Sequence, residues 1–356
     1  MSRIRRIRRK KPRTGSVWKK LLLWGVLGLL VLAAAAVAGS YLYVRAYLKS
    51  DGFLAMLEQS AVDDMNVETA RIDPLDWDGS GIRCGGVVME GHEFLTSLQA
   101  RNIETEFSRW ELLKRAFVIT SVNIAELKLH LAPVSFRFRE KPEGPRSWAE
   151  ENILPDTFRL EKGSIDSLSV SYGEAGRLYV LDGARVESAY DAGSSQYRFD
   201  VRGGKLLLPF QGCPEFSLMS GTAQFNHSSR RVNIPSCRLT TDAGGYLDIK
   251  GDWDGSSSSW TANVVVNGVP VSSILEDHWR KHVHGSVSGG IDLRGGRDGV
   301  THVAGLARLQ GGMLTGLPVL DRLALFCGSS RFRNLPLHEA SAQFVYQESA
   351  WHISNI

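Results

Sequence analysis

The chain has 356 residues, with 42 Lys and Arg against 38 Asp and Glu, 43% hydrophobic residues, 36 Gly, 12 Pro and 4 Cys. That composition excludes a disordered chain, a collagen-like chain and a small disulfide scaffold. The formal charge of +4 is unevenly placed: residues 1–20 hold ten basic side chains and no acid, and the remaining residues carry 32 basic and 38 acidic groups, a net of −6. A globally basic protein is excluded, and a basic tail on a mildly acidic body is left.

Residues 21–44 contain no charged side chain. A helix of about 20 apolar residues crosses the hydrocarbon core, and a soluble helix would show the polar stripe this segment lacks. The segment predicts a single transmembrane helix, with Leu21, Trp24, Leu30, Val37, Tyr41 and Val44 as anchor residues. Trp18 and Trp24 at one end, and Tyr41, Tyr43 and Tyr47 at the other, suit the two interfacial belts. Arg5, Arg6, Arg8, Arg9, Lys10, Lys11, Lys19 and Lys20 precede it, against only Arg45 and Lys49 just beyond. The positive-inside rule then places the N-terminus in the cytoplasm and the body on the far side. Ala36-Val37-Ala38 would also suit a signal peptidase, but the long basic region and the apolar residues continuing to Val44 favour an uncleaved anchor. The basic run fits topology and anionic lipid better than nucleic acid.

Beyond the anchor, Phe53, Leu54, Met56, Leu57 and Val62 recur at helical spacing, with Ser50 and Asp51 as caps. Almost everything afterwards alternates with period two. In residues 118–131, Ile119, Ala125, Leu127, Leu129 and Leu131 fall on one face and Glu126, Lys128 and His130 on the other. Similar strands are expected over 158–172, 177–186, 197–208, 221–225, 246–253, 259–266, 287–293, 304–309, 341–346 and 351–356. Gly, Asp and Ser turns separate them at 191–193, 226–229, 242–245, 254–259 and 298–299. The expectation is a mainly β protein: one elongated, curled antiparallel sheet with short helices at 109–116, 147–152 and 272–281. The Lys141-Pro142-Glu143-Gly144-Pro145 run divides a membrane-proximal region, 45–140, from a main region, 141–356. The final strand has no closing turn, which predicts an open edge that further strands or a partner would extend.

Chemistry-bearing constellations are sparse. Cys84, Cys213, Cys237 and Cys327 are 129, 24 and 90 residues apart and form no metal-ligand spacing. Buried free thiols are one reading of them, and a Cys213–Cys237 bridge in an oxidising compartment is another. His278 and His282 are spaced i, i+4, but Arg280 and Lys281 lie between them and the Glu of a zinc-protease motif is missing. A capped amphipathic helix is the better reading, with no metal, cofactor or catalytic residue assigned. The Gly289-Gly290 and Gly295-Gly296 pairs precede no helical pattern, and neither a nucleophile elbow nor a phosphate loop is present. An enzyme is not supported. What remains is a one-sided apolar sheet, which needs either a second layer or an apolar ligand.

Several stretches resemble the AsmA-like family, the relatives of AsmA, TamB and YhdP within the bridge-like lipid-transfer superfamily. They are the anchor, the helix at 53–62, Asp73-Pro74-Leu75-Asp76-Trp77-Asp78-Gly79, and Arg109-Trp110-Glu111-Leu112-Leu113-Lys114-Arg115-Ala116 running into 118–131. Residues 285–295 and 305–318, followed by Leu320-Asp321-Arg322-Leu323, are similar to the family's recurring glycine-spaced strands. The resemblance implies a protein of the bacterial inner membrane with a periplasmic β-taco groove. It would move phospholipid between membranes in outer-membrane biogenesis, with acyl chains against Ile119, Leu127, Leu129, Leu131, Leu247 and Ile249. Its partners would be phospholipid, the inner membrane and periplasmic or outer-membrane proteins. The alternative is a scaffold that assembles outer-membrane proteins by strand addition.

Overall fold

The computed structural model describes residue 46, residues 50–133 and residues 157–355, apart from 80, 92–93, 109–110, 112–115, 175, 210–212, 227, 276, 297–298 and 348–349. The proposed anchor and its topology-setting Arg and Lys residues, and the expected helix at 147–152, lie outside the described residues, as does all of 109–116 except Glu111 and Ala116. Among the described residues no helix is long and apolar enough to cross a membrane.

Among the described residues, eighteen strands form one hydrogen-bonded sheet. Two short strands, β1 (Thr69–Ile72) and β2 (Leu75–Trp77), line one edge of β3 (Gly81–Glu90). Next come β4 (Leu95–Phe107) and β5 (Ala116–Leu131), each antiparallel to its predecessor. The sheet then departs from the all-antiparallel expectation. β6 (Thr157–Leu160) and β7 (Lys162–Glu174) both run parallel to β5, so the sheet is mixed. Parallel neighbours need a crossover of a dozen or more residues, and residues 132–156 supply that length. The Lys141–Pro145 run, read as a divider, sits inside this crossover, and strands from both sides of it pair directly, from Val122 with Gly163 to Leu131 with Tyr172.

From β7 onward every step is antiparallel. β8 (Arg177–Asp191) is followed by β9 (Gln196–Arg202) and β10 (Lys205–Leu207), which share its next edge. The meander continues through β11 (Phe216–Asn226), β12 (Arg231–Thr241), β13 (Tyr246–Asp254) and β14 (Ser259–Pro270). It ends with β15 (Val283–Gly296), β16 (Gly299–Thr315), β17 (Asn334–Gln347) and β18 (Ala350–Ser354). Counting β1/β2, β6/β7 and β9/β10 as one position each gives fifteen positions. At roughly 4.8 Å per step they extend about 65 Å along the hydrogen-bonding direction. β1 and β2 pair only with β3, and β18 only with β17, so among the described residues the sheet does not close into a barrel.

The helices sit at the margins. α1 (Asp51–Met65) starts at Ser50, whose Oγ accepts from Phe53 N at 3.3 Å, and ends at Asn66 in the left-handed region at φ 52°. It protects the first edge: Glu58 Oε1 accepts the Ile72 N–H of β1 at 2.9 Å. The single helix expected over 272–281 is instead two short turns, α2 (Val271–Ile274) and α3 (Asp277–Arg280), broken where Leu275 is extended at ψ 149°. α4 (Pro318–Phe326) and a 3₁₀ turn (Ser330–Arg333) join β16 to β17. Pro318 opens α4 at a position where a missing N–H costs nothing.

The apolar pattern slips by one residue partway along several of the longer strands. Strict alternation would put Ala100 and Ile103 of β4 on opposite faces, yet 100 is buried and 103 half-buried, with Arg101 and Asn102 adjacent and both exposed. The same pair of adjacent exposed residues marks Asp182-Gly183 in β8, Met219-Ser220 in β11, Pro235-Ser236 in β12 and Gln310-Gly311 in β16. Pairing is shifted at the matching places in β7/β8, β11/β12, β14/β15 and β15/β16. Positive φ accompanies the slip at Asn102 (50°), Gly183 (70°), Gly268 (60°) and Gly311 (58°). Bulges bend a strand and raise its twist, so a line of them across neighbouring strands creases the sheet. The result is one large curled sheet.

Candidate functional site

The slips bring the apolar residues of both strand halves to the same side. The pairing register then traces one apolar face across the sheet. At one end of it Met89 pairs with Leu98, Leu98 with Leu129, Leu129 with Val170, and Val170 with Leu181. A parallel row runs Cys237–Ile249–Val264–Ile291–Gly305–Phe344–Ile353 from β12 to β18. Period two supplies these residues, and the ladder places them side by side.

Five of the six candidate lipid-facing residues lie on this face and are half-buried. Leu127 is held between Ala100 and Leu168, Leu129 between Leu98 and Val170, and Leu131 between Leu95 and Tyr172. Leu247 lies between Leu239 and Val266, and Ile249 between Cys237 and Val264. Ile119 is set apart. It sits between Phe107 and Leu160 beyond a register shift in β4, next to a Val118 that is only 4% exposed.

Buried apolar residues are scattered along the sheet, from Leu75 and Cys84 to Val303, and they gather into one small cluster. Phe216, Leu218 and Leu239 are buried together, with Leu181, Val201, Leu206, Cys213, Cys237, Leu247 and Ile249 packed around them. Among the described residues no large side chain is below 2% exposure. A sheet with a second full layer over it would bury its inner row more deeply. Towards the far edge the face opens further, with Trp253 at 42%, Trp351 at 59% and Ile353 at 61% exposure. Aromatic rings gather there and along one strand-end margin: Tyr190–Tyr197 at 4.9 Å, Tyr346–Trp351 at 5.1 Å, and Trp253 register-paired with Trp260. Gly305 makes room for a ring, since a Cβ there would lie 2.5 Å from the Phe344 ring. The Trp253–Trp260 pair also borders a recess of about 540 Å³, whose other walls include Asn226, Arg231, Asp252 and Asp254.

The opposite face is polar and tied by cross-strand pairs. Glu126 accepts from Arg101 at 3.2 Å and lies 2.7 Å from Lys128, which together hold its carboxyl below the usual carboxylate range, with the Lys128 hydrogen bond as the main cause. Arg238 meets Asp248 in a two-point contact at 2.7 and 2.8 Å, which lowers the Asp248 pKa. His130 and Ser171 lie 2.5 Å apart, and Ser164 donates to Asn123 at 2.7 Å. These contacts join β5 to β7 across the parallel step.

Among the described residues no three His, Cys, Asp or Glu side chains are placed to share a metal ion. His278 and His282 have ring centroids 5.8 Å apart, but His282 lies past the end of α3 and its Nδ1 is bonded to Thr315 O at 2.8 Å. His284 is in β15. The four cysteines are free: Cys84 is buried, Cys213 and Cys237 are half-buried, and Cys327 is exposed. Burial raises the thiol pKa of Cys84, Cys213 and Cys237.

Among the features that sequence reasoning missed, two left a signal. One is the crease, whose signal was present as broken alternation around Gly183, Gly203-Gly204, Gly268 and Gly311. The other is α4, a nine-residue amphipathic run signalled by Pro318 at its first position. No family model, curated protein or solved structure matches the chain.

Proposed function

We propose that this is a lipid-handling protein, anchored in the bacterial inner membrane by residues 21–44, with a periplasmic body shaped as a taco-like groove. The observation that carries the reading is the apolar face itself: Cys84–Ile103–Ile124–Ile165–Val186–Val201–Gly221–Cys237 are register partners from β3 to β12, the row from Cys237 to Ile353 continues them to β18, most of the face is half-buried, and a charged outer face backs it. Acyl chains laid against such a surface gain about 0.8 kcal/mol per methylene removed from water, while headgroups stay at the margin. No covalent step is needed, because phospholipid would move by sliding along the face. This agrees with the AsmA-like resemblance and its implied role in phospholipid transport and outer-membrane biogenesis.

The test is mass spectrometry of lipid extracted from the full chain purified in a lipid-free polymer. Phospholipid should co-purify with the wild type and be lost from Leu127→Asp and Leu129→Asp variants that keep the wild-type circular dichroism. A natively folded chain without lipid, or variants that retain it fully, would reject the groove. A second reading, strand addition to a client protein, is favoured by β18, which among the described residues pairs with β17 alone and whose five residues are all exposed. Crosslinks from Trp351 or Ile353 to a β-rich client, together with lipid-free protein, would select it.

A further inference from the structure

Two connections leave the sheet at the same end. Residues 271–282 join β14 to β15, and residues 316–333 join β16 to β17. Their roots are bonded together: Thr315 N donates to His282 O at 2.9 Å, and Thr315 Oγ1 donates to Lys281 O at 3.1 Å. The two connections therefore form one surface.

That surface is unusually apolar for exposed protein. In α4 the buried residues Leu320 and Ala324 face the protein. Val319, Leu323 and Phe326 fall at i, i+4 and i+7, a second stripe on the outside, at 65%, 41% and 90% exposure. Leu325 beside them is 76% exposed, and Ile274 and Trp279 of the neighbouring connection are 40% and 46% exposed. Over 271–282 and 316–333 together, Arg280, Lys281, Arg322, Arg331 and Arg333 stand against Glu276, Asp277 and Asp321, a net of +2 on a body whose net charge is −6. Arg333 Nε lies 3.6 Å from Asp321 Oδ1.

We infer that this end of the sheet docks on the surface of an anionic phospholipid bilayer. A helix of nine residues is about 13 Å long, too short to span a membrane and long enough to lie in its interface. Leu325 and Phe326 would enter the acyl boundary, Trp279 would sit at headgroup depth, and the arginines would meet lipid phosphates. The local positive charge on an acidic body selects for anionic lipid, since the rest of the surface is repelled by it. Counted along the sheet, β16 lies twelve positions from the β1/β2 edge, about 58 Å at 4.8 Å per step. Docking does not require lipid in the groove and goes beyond the carrier reading.

Cys327, exposed and next to Phe326, gives a local probe, because the other three thiols are buried or half-buried. The full chain is labelled there with an environment-sensitive fluorophore and held in phosphatidylcholine nanodiscs. It is then titrated with vesicles of phosphatidylcholine alone or with added phosphatidylglycerol. The probe should brighten and shift to the blue with the anionic vesicles, with an apparent affinity at least about fivefold above that for neutral ones. Phe326→Asp and Arg331→Glu should each weaken it by a similar factor, and both positions are exposed enough to leave the fold intact. No probe response would overturn the proposal. So would a response that Phe326→Asp leaves unchanged, which would assign vesicle binding to the basic residues 3–20. A response that tracks protein concentration alone, with doubled mass in solution, would make the surface a contact between copies and also overturn it. Lipid co-purification is read separately, so a failed groove and a failed dock are distinguishable.

Discussion

Adjacent glycines in the crease allow its backbone and packing contributions to be separated. Gly203 and Gly204, which divide β9 from β10, both have positive φ, at 68° and 89°. A Cβ on Gly203 would meet nothing within 4 Å, so Gly203→Ala carries only the cost of a left-handed alanine, about 1–2 kcal/mol. A Cβ on Gly204 would lie 2.9 Å from Ala184 N and Asp182 O. Ala184 is fully buried, at 0% exposure, and cannot move aside cheaply. Overpacking adds about 1–3 kcal/mol, giving about 2–5 kcal/mol for Gly204→Ala. Equilibrium urea unfolding of the full chain in mild detergent, followed by far-ultraviolet circular dichroism, reads both. At a slope near 3 kcal/mol per molar, the midpoints should fall by about 0.3–0.7 M for Gly203→Ala and about 0.7–1.7 M for Gly204→Ala. Equal midpoints for the two variants, or wild-type midpoints for both, would refute a crease built on these backbone conformations and contacts.

Asp254 gives a pH signature. Hydrogen bonds from Ser256, first its hydroxyl and then its backbone N–H, with help from Ser257 and Arg231, hold its pKa down to about 2 from 3.8. A lowered carboxylate pKa stabilises the fold above the unfolded value and loses that stabilisation as pH falls through the folded one. Thermal melts of wild type and Asp254→Ala should therefore differ at neutral pH and converge between about pH 4 and 2, and a constant gap would count against it. For thiol reactivity, timed alkylation with intact-mass detection should show Cys327 modified first and Cys84, Cys213 and Cys237 only slowly, because burial raises their pKa values. Simultaneous modification of all four would contradict the burial. Glu58→Ala removes the acceptor for Ile72 N–H on the first edge strand and should cost about 1–2 kcal/mol, with faster amide exchange in β1 as its local mark.

Fold class was legible in the sequence because period two survives in half-strands, and the turns at 191–193, 226–229, 242–245 and 254–259 were marked by Asp, Asn, Gly and Ser. At 191–193 the reason is visible: Asp191 Oδ1 accepts from Gly193 N at 3.0 Å. Two strands were expected too short because they were ended where alternation broke, at Val266 in β14 and Leu309 in β16, although both continue through a bulge, whereas the strands expected over 158–172 and 197–208 each prove to be two. β3, β4 and β12 were missed because Gly85-Gly86, Asn102 and Pro235-Ser236 interrupt their patterns. The parallel step at β5 could not be read locally, since it depends on where the crossover returns the chain and not on any residue type. The polar ladder on the outer face was legible as composition only. Which Arg meets which Asp, as with Arg238 and Asp248, follows from register, and register follows from the bulges.

A half-exposed apolar face predicts a thermodynamic effect of ligand binding that is independent of transport. The face keeps Leu127, Leu129, Leu247 and Ile249 only half-buried, so the chain alone gains part of the hydrophobic stabilisation those side chains could give. A ligand that covers them binds the folded state and not the unfolded one. By mass action it should stabilise the fold by about 2.7 kcal/mol when present at a hundredfold excess over its dissociation constant. For a body of this size each kcal/mol moves the melting temperature by roughly 2–4 °C, so lipid removal should lower it by about 5–10 °C. Secondary structure should be unchanged, because the ladder hydrogen bonds do not involve the ligand. Calorimetry of delipidated and lipid-loaded full chain makes the comparison, and Leu129→Asp should melt at the same temperature in both states. Identical melting of wild type with and without lipid would mean that the apolar face is already covered by the protein itself, and the groove reading would fall with it.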